Sequence, residues 1–237
     1  MKLLNECTFT DKCSYLNNQQ QTAHYKILSE CSIAYCTTLI QRGWRRFGKM
    51  FFRPICCDCQ ECQSLKIDVN NYNFSKSEKR IINKNSQIKL HVQKPTVSYE
   101  HVELFNRYHH YMHSFRAWDN NQTDVKGYYN SFVQGANDFG YEVLYYDKEK
   151  LICVDLIDIL EDGISSIYCY YDPEYKNLSL GKYSLYRQIS LAKSLQKPWI
   201  YLGYYVKDCQ SLTYKSQFKP YLTLQNRATD IQKDIWI

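Results

Sequence analysis

The stretch from residue 141 to 205 constrains the fold more than any other. "YEVLYYD", "LICVDLIDIL" and "ISSIYCYYD" alternate or run apolar as strands do, and the turn-formers "DKEK" and "EDG" separate them. "SLGKYSLYRQISLAKSLQ" then carries helical spacing, and "PWIYLGYY" reads as one further strand. Three antiparallel strands, a crossover helix and another strand bury their apolar faces as an α+β unit.

This order of elements is that of the N-acetyltransferase-like (GNAT-like) fold, with a mixed sheet at its core. There the acyl carrier docks near the N-terminus of the crossover helix, where free backbone N–H groups hold phosphate. Upstream, "HYKILSECSIAYCTTLIQRG" reads as a helix stopped by Gly43. "FFRPI", "SLKIDV" and "QIKLHV" read as strands. "SKSEKRIINKN" is a basic helix capped by Ser75 or Ser77 and ending near Asn85. "SYEHVELFNRYHHYMHSF" and "TDVKGYYNSFVQG" are helices with Ser98 and Thr123 as caps. The chain is read as a Cys-rich N-terminal region (1–72), a basic helix with a connecting strand (73–97) and an N-acetyltransferase-like C-terminal region (98–237).

The 237 residues suffice for a substantial core. No run approaches the roughly 18 apolar residues of a membrane helix, since Asp155 and Asp158 interrupt the best candidate. The start lacks the pattern of a signal peptide, so a cytoplasmic protein with no membrane partner is expected. A net charge of +6 permits a nucleic-acid partner without demanding one. The 23 tyrosines offer base-stacking surface, although core and strand positions account for most of them.

Disulfides are disfavoured in the cytoplasm, and eleven cysteines cannot all pair. Cys31, Cys36, Cys153 and Cys169 sit among apolar residues and read as small buried hydrophobes. Cys56, Cys59 and Cys62 form C-x-x-C-x-x-C, a spacing that points three thiolates at one centre. Cys13 is the candidate fourth ligand, with Cys57 as competitor. Zinc and an Fe–S cluster use the same ligands, so spacing does not separate them.

"GWRRFGKMFFRP" places Arg45, Arg46, Lys49 and Arg53 near these cysteines, as a carboxylate or phosphate clamp or as a solvated basic turn. His109 and His113, at i and i+4, lack the acidic partner of HExxH and read as helix surface. In "YYDPEYKNLSLG", Asp172 before proline is a turn residue, a cap or a base.

In this order the stretches resemble the arginyl/leucyl-tRNA–protein transferases over nearly the whole chain. "KCSYL" and "RGWRRFGKMFFRPICCDCQEC" are similar to the family's N-terminal elements. "SEKRIINKN" and "FNRYHHYMH" resemble its two helices. "ISSIYCYYDPEYKNLSLGKYSL" and "IYLGYYVKDCQSLTYKSQFKP" resemble its C-terminal signatures. The three-cysteine loop and short chain look like the bacterial branch (aspartate/glutamate leucyltransferase). Departures are Phe47 where the family has Ser, Glu78 for Gln, and Met112 for Arg; the last two put tRNA or carboxylate contacts at those positions in doubt.

The resemblance implies an aminoacyltransferase that moves leucine from Leu-tRNA to proteins with N-terminal Asp or Glu, marking them for N-degron degradation; the alternative donor is Arg-tRNA. It also implies an Fe–S cluster or metal on Cys13, Cys56, Cys59 and Cys62, while the chemistry itself requires no cofactor. Asp172 and Tyr171 are expected at the reacting centre, with Asp158 as rival base. The N–H groups of Ser179, Leu180 and Gly181 are expected to hold the tRNA end. Tyr204 and Lys215 are placed at the aminoacyl group. Arg45, Arg46 and Lys215 are placed at the acceptor's carboxylate. A non-catalytic metal-binding nucleic-acid module is the rival class. An acyl-CoA N-acetyltransferase lacks support, because "KNLSLG" is not a pyrophosphate loop of the R/Q-x-x-G-x-[GA] type.

Overall fold

The computed structural model describes residues 1–229 and 232–237. The chain opens with a long hairpin, β1 (Lys2–Lys12) and β2 (Gln20–Glu30), followed by α1 (Ile33–Gln41), β3 (Arg45–Phe47) and β4 (Met50–Pro54). Then come β5 (Gln63–Asp68), α2 (Lys76–Lys84), β6 (Lys89–Gln93), α3 (Tyr99–Arg116) and α4 (Val125–Tyr128). The last part is β7 (Gly140–Asp147), β8 (Lys150–Ile159), β9 (Gly163–Tyr171), α5 (Leu180–Ser194), β10 (Trp199–Tyr205) and β11 (Tyr221–Thr223).

The strands form two sheets, a four-stranded one ordered β1-β2-β4-β3 and a seven-stranded one ordered β11-β5-β10-β9-β8-β7-β6. The large sheet is mixed: β6 to β9 are antiparallel neighbours, β10 runs parallel to β9, and β5 runs antiparallel to β10. Pleating sends alternate residues to opposite faces. Cys153 and Ile157 pack with Leu185, Ile189 and Ala192 of α5 on one face. Val154 and Leu156 pack with Val102, Phe105 and Tyr108 of α3 on the other. A third core joins α1, through Cys36, Leu39 and Ile40, to Leu28, Phe51 and Tyr201.

The helix ends follow local chemistry. Ser75 and Glu78 complete a capping box on α2, Ser98 caps α3, and Gly43 follows the Arg42 C-cap of α1 with φ +81°. The differences from expectation lie where long-range pairing overrides spacing. Residues 20–30 are a strand, and α1 begins only at Ile33 behind Ser32, because β1 pairs along the full length of β2. Asp124, not Thr123, caps α4, and a π-turn over Tyr129–Val133 replaces a long helix. The boundary at residue 72 falls after β5, which lies inside the large sheet. The N-terminal region thus supplies a strand to the C-terminal core, and α2 packs against α5.

Candidate active site

β9 and β10 are paired for only three positions, Gly163↔Trp199, Ile164↔Ile200 and Ser165↔Tyr201. Beyond them the two strands diverge, and Arg45 from β3 enters the fork. Its guanidinium donates to Ser165 Oγ (3.3 Å) and to the Ser166 carbonyl. Opposite lies Gly203, with φ +77°, where a Cβ would stand 2.7 Å from Arg45 Nε. The glycine of "YLGYY" therefore serves both a left-handed backbone and the close approach of an arginine. Burial lowers the Arg45 pKa from its ordinary value, Tyr204 and Asp158 opposing, and the group remains a cation at neutral pH.

Tyr204 is buried, and its single hydroxyl proton is shared between the Gly43 (2.9 Å) and Phe52 (3.2 Å) carbonyls, tying β10 to the turn after α1 and to β4. Its phenol is thus a clamp, and only its ring edge and backbone remain for a substrate. The Tyr204 carbonyl accepts from Lys215 Nζ at 2.7 Å. Burial, with Arg45 adding to it, pushes the Lys215 amine down to about 7.

The α5 side of the sheet holds a residue that sequence reasoning missed. Asp155 on β8 is fully buried and stands opposite Cys169 in register. Gln188 Nε2 donates to both its oxygens (2.9 and 2.8 Å) and to Ser166 Oγ (3.2 Å). Burial raises the Asp155 carboxyl to about 7 against the opposing Gln188 hydrogen bonds. Tyr214 is close enough to feel Cys169, Asp155 and Arg45 together. Ser166 joins the two sets, with its carbonyl on Arg45 and its hydroxyl on Gln188. The available signal was an ionisable residue on the inward phase of an otherwise apolar strand.

Several expected roles need correction. Asp158 and Arg46 are both buried and form a two-pronged pair at 2.6 and 2.9 Å. Arg46 Nη1 also donates to the Gly48 carbonyl at 2.7 Å. Asp158 as base and Arg46 as acceptor clamp are therefore not supported, since each already has its partner. Asp172 takes the turn role. One oxygen accepts from the Glu174 N–H, and the other faces Lys150 (2.9 Å) and Arg107 (3.3 Å). His109, read as helix surface, is instead buried and bonded to the Tyr168 hydroxyl, while His113 is exposed as expected and bonds the Trp118 carbonyl.

Tyr171 is half-buried against Tyr108 and lies 3.5 Å from where a Cβ on Gly181 would be. It thus borders the start of α5. Ser179 stands at the N-cap in the left-handed region, and its side chain does not cap. The first-turn N–H groups are claimed by no side chain. Leu180 contributes only backbone, because its side chain is in the core.

The β1–β2 hairpin carries Cys13 to the loop that bears Cys56, Cys59 and Cys62. Burial and the three other thiols push Cys62 up to about 12, against the pull of Arg227. The Tyr15 and Thr22 N–H groups point at the Cys13 and Cys56 sulfurs (3.5 and 3.4 Å). Arg227 grips the Cys56 and Cys59 carbonyls at 2.7 and 2.8 Å. Cys57 is exposed and turned toward Asp58. Among the described residues no three Cys, His, Asp or Glu side chains are close enough to form a finished metal site. The donor chemistry, four sulfurs with N–H groups aimed at two of them, suits a thiophilic metal or cluster. A cleft of about 270 Å³ beside it is lined by Arg42, Arg53, Cys62, Tyr204 and Arg227.

Residues 11–80 match the family model described as the N terminus of arginine-tRNA-protein transferase, and residues 100–225 match its C terminus. The aspartate/glutamate leucyltransferase of Campylobacter jejuni subsp. jejuni serotype O:6 is 51% identical over 214 residues, 90% of each chain. That of Helicobacter hepaticus is 35% identical over 236 residues, covering 100% of this chain and 98% of its own. That of Nitrosococcus oceani is 32% identical over 94% of this chain and 93% of its own. These similarities define an aminoacyltransferase enzyme. The chain belongs to the arginine-tRNA-protein transferase family, on the side of its bacterial leucyltransferases.

Proposed function

We propose that the chain transfers leucine from Leu-tRNA to the α-amine of proteins beginning with Asp or Glu, and so marks them for N-degron degradation in the cytoplasm. The names of the relatives support leucine over arginine as the donated residue. No helix among the described residues is long and apolar enough to cross a membrane. The fork of β9 and β10 above a crossover helix supports a GNAT-like core bearing a Cys-rich N-terminal region.

The observation that carries the mechanism is the continuous set Arg45–Ser166–Gln188–Asp155, with Lys215 beside Arg45. The acceptor amine attacks the ester carbonyl, a C–N bond forms, and the bond to the ribose oxygen breaks. Asp155, a base poised near neutrality, takes the amine proton and returns it to the ribose oxygen. Arg45 and Lys215 hold the acceptor's carboxylate; a neutral side chain would leave buried cations unpaired. The first-turn N–H groups at Leu180 and Gly181 face the tRNA end, with Tyr171 at its border. Tyr204 positions Lys215 through its carbonyl. Cys13, Cys56, Cys59 and Cys62 would hold Zn²⁺ or an Fe–S cluster, which would brace the loop beside Lys215; the transfer needs no cofactor.

The test is mass spectrometry of peptides beginning Asp, Glu, Lys or Ala after incubation with Leu-tRNA or Arg-tRNA. Leucine added to the acidic peptides alone is expected. Arginine addition would change the donor, and no addition with either would refute the reading. Elemental analysis and visible absorption of anaerobically purified protein decide the metal question.

A further inference from the structure

Helix α2 has a division of faces that the transfer reaction leaves unexplained. Lys76, Lys79, Arg80 and Lys84 are all exposed and lie within one stripe at helical spacing. The opposite stripe holds Ile81 and Ile82 against the main core, and Asn85 buried at the helix end. The helix's one acid is consumed locally, because Glu78 accepts from the Ser75 N–H (2.7 Å) and the Tyr72 hydroxyl (2.6 Å). Among the described residues none of the four cations is in an ion pair. A surface helix that merely needed solubility would intersperse both signs.

The end of this helix is stitched to the turn before α5. Lys84 Nζ donates to the Asn177 carbonyl (2.8 Å), and Asn85 Nδ2 donates to the Leu178 carbonyl (3.0 Å). The Tyr183 hydroxyl reaches back to the Asn85 carbonyl (3.4 Å). The basic stripe therefore runs up to Ser179, Leu180 and Gly181, and exposed Lys176 and Lys182 flank that point. From Lys76 to Lys84 the stripe is about 12 Å long at 1.5 Å per residue, enough to face several phosphates of one strand.

We infer that this face of α2 is a track for the phosphate backbone of an RNA stem whose aminoacylated 3′ end reaches the start of α5. The inference rests on the tRNA-dependent reading above and assigns the surface that grips the stem. Phosphate contacts of this kind set position and affinity without reading sequence. The apolar face of α2 is already covered by the core, so the helix has none to insert into a lipid surface.

The experiment uses full-length protein with Lys76→Glu, Lys79→Glu and Arg80→Glu combined. Binding of deacylated tRNA is followed by fluorescence anisotropy across a salt series. Transfer from a short leucylated CCA-end oligonucleotide is measured in parallel. At about 0.1 M salt the variant is expected to bind tRNA at least tenfold more weakly. The slope of log Kd against log salt should flatten by about 3, the share of three lost phosphate contacts on a duplex stem. Transfer from the short oligonucleotide should be unchanged. Should the reversals impair folding, judged by circular dichroism, the triple Gln variant gives the same flattening. Wild-type affinity and slope in the variant would overturn the surface alone. Failure of the native protein to bind tRNA would overturn the reading it rests on as well. Loss of binding to anionic phosphatidylglycerol vesicles, with tRNA binding intact, would make the face a membrane contact and overturn the inference.

Discussion

Gln188 places a single amide nitrogen between the two oxygens of Asp155, 2.9 and 2.8 Å away, in a fully buried setting. One neutral donor does not offset the burial of a carboxylate, so Asp155 titrates near 7 rather than near 4. If it is the base, kcat must rise with pH through about 7, because only the ionised form accepts a proton. Asp155→Asn is expected to lower kcat by about 10²–10⁴-fold and abolish that limb, while binding tRNA normally. A pH–rate profile of both proteins checks this.

Lys215 has the opposite sense. Its amine is charged below about 7 and neutral above. An acidic acceptor should therefore show a KM that climbs above pH 7, whereas the amine's own ionisation favours higher pH. Steady-state kinetics of wild type and Lys215→Met with a peptide beginning Glu separate the two, since only wild type should lose affinity above pH 7. Stability follows from the same shift. The unfolded chain binds this proton up to about 10.5 and the folded one only to about 7, so wild type gains stability over that window relative to Lys215→Met. Calorimetry of both proteins from pH 7 to 10 measures the change.

Arg46 and Asp158 satisfy each other in the interior. Arg46→Met alone leaves a buried, unpaired carboxylate and should cost about 3–5 kcal/mol. The double variant Arg46→Met with Asp158→Leu should recover most of that loss, since it removes the pair together. Urea unfolding curves of the three proteins test it. A double variant as unstable as the single would show that Arg46 acts through its carbonyl contacts instead.

Gly203→Ala puts a Cβ into Arg45 at a left-handed position. Strain of about 1–2 kcal/mol is expected, and displacement of Arg45 from the fork should weaken selection for acidic N-termini. A lowered Tm together with a smaller Asp-to-Ala acceptor ratio is the expected result.

Much of this architecture is legible in local sequence, and the reasons are physical. The run from β7 to β10 has short-range turns and clear periodicity, and Ser75, Ser98 and Gly43 mark helix ends by chemistry confined to one turn. The hairpin strand β2 was hidden because "HYKILSEC" also has helical spacing and only its pairing with β1 decides the matter. The site was harder to read. Arg46 and Asp158 stand 112 residues apart, and nothing local says that two charged residues will neutralise each other. Asp155 differs from Asp158 only in its surroundings, namely a glutamine on a helix still to come.

The place of β5 between β10 and β11 has a consequence for how the molecule is made. Its apolar Leu65 and Ile67 leave the ribosome some 130 residues before β10 exists to receive them. At about 5–20 residues per second that is a wait of roughly 7–26 s. The sheet therefore closes late, from its β6–β9 end toward β11, and a polypeptide released early would carry an unshielded sticky strand. Quality control during synthesis thus falls on the strand that later pairs with Gly203 and Tyr204 at the site.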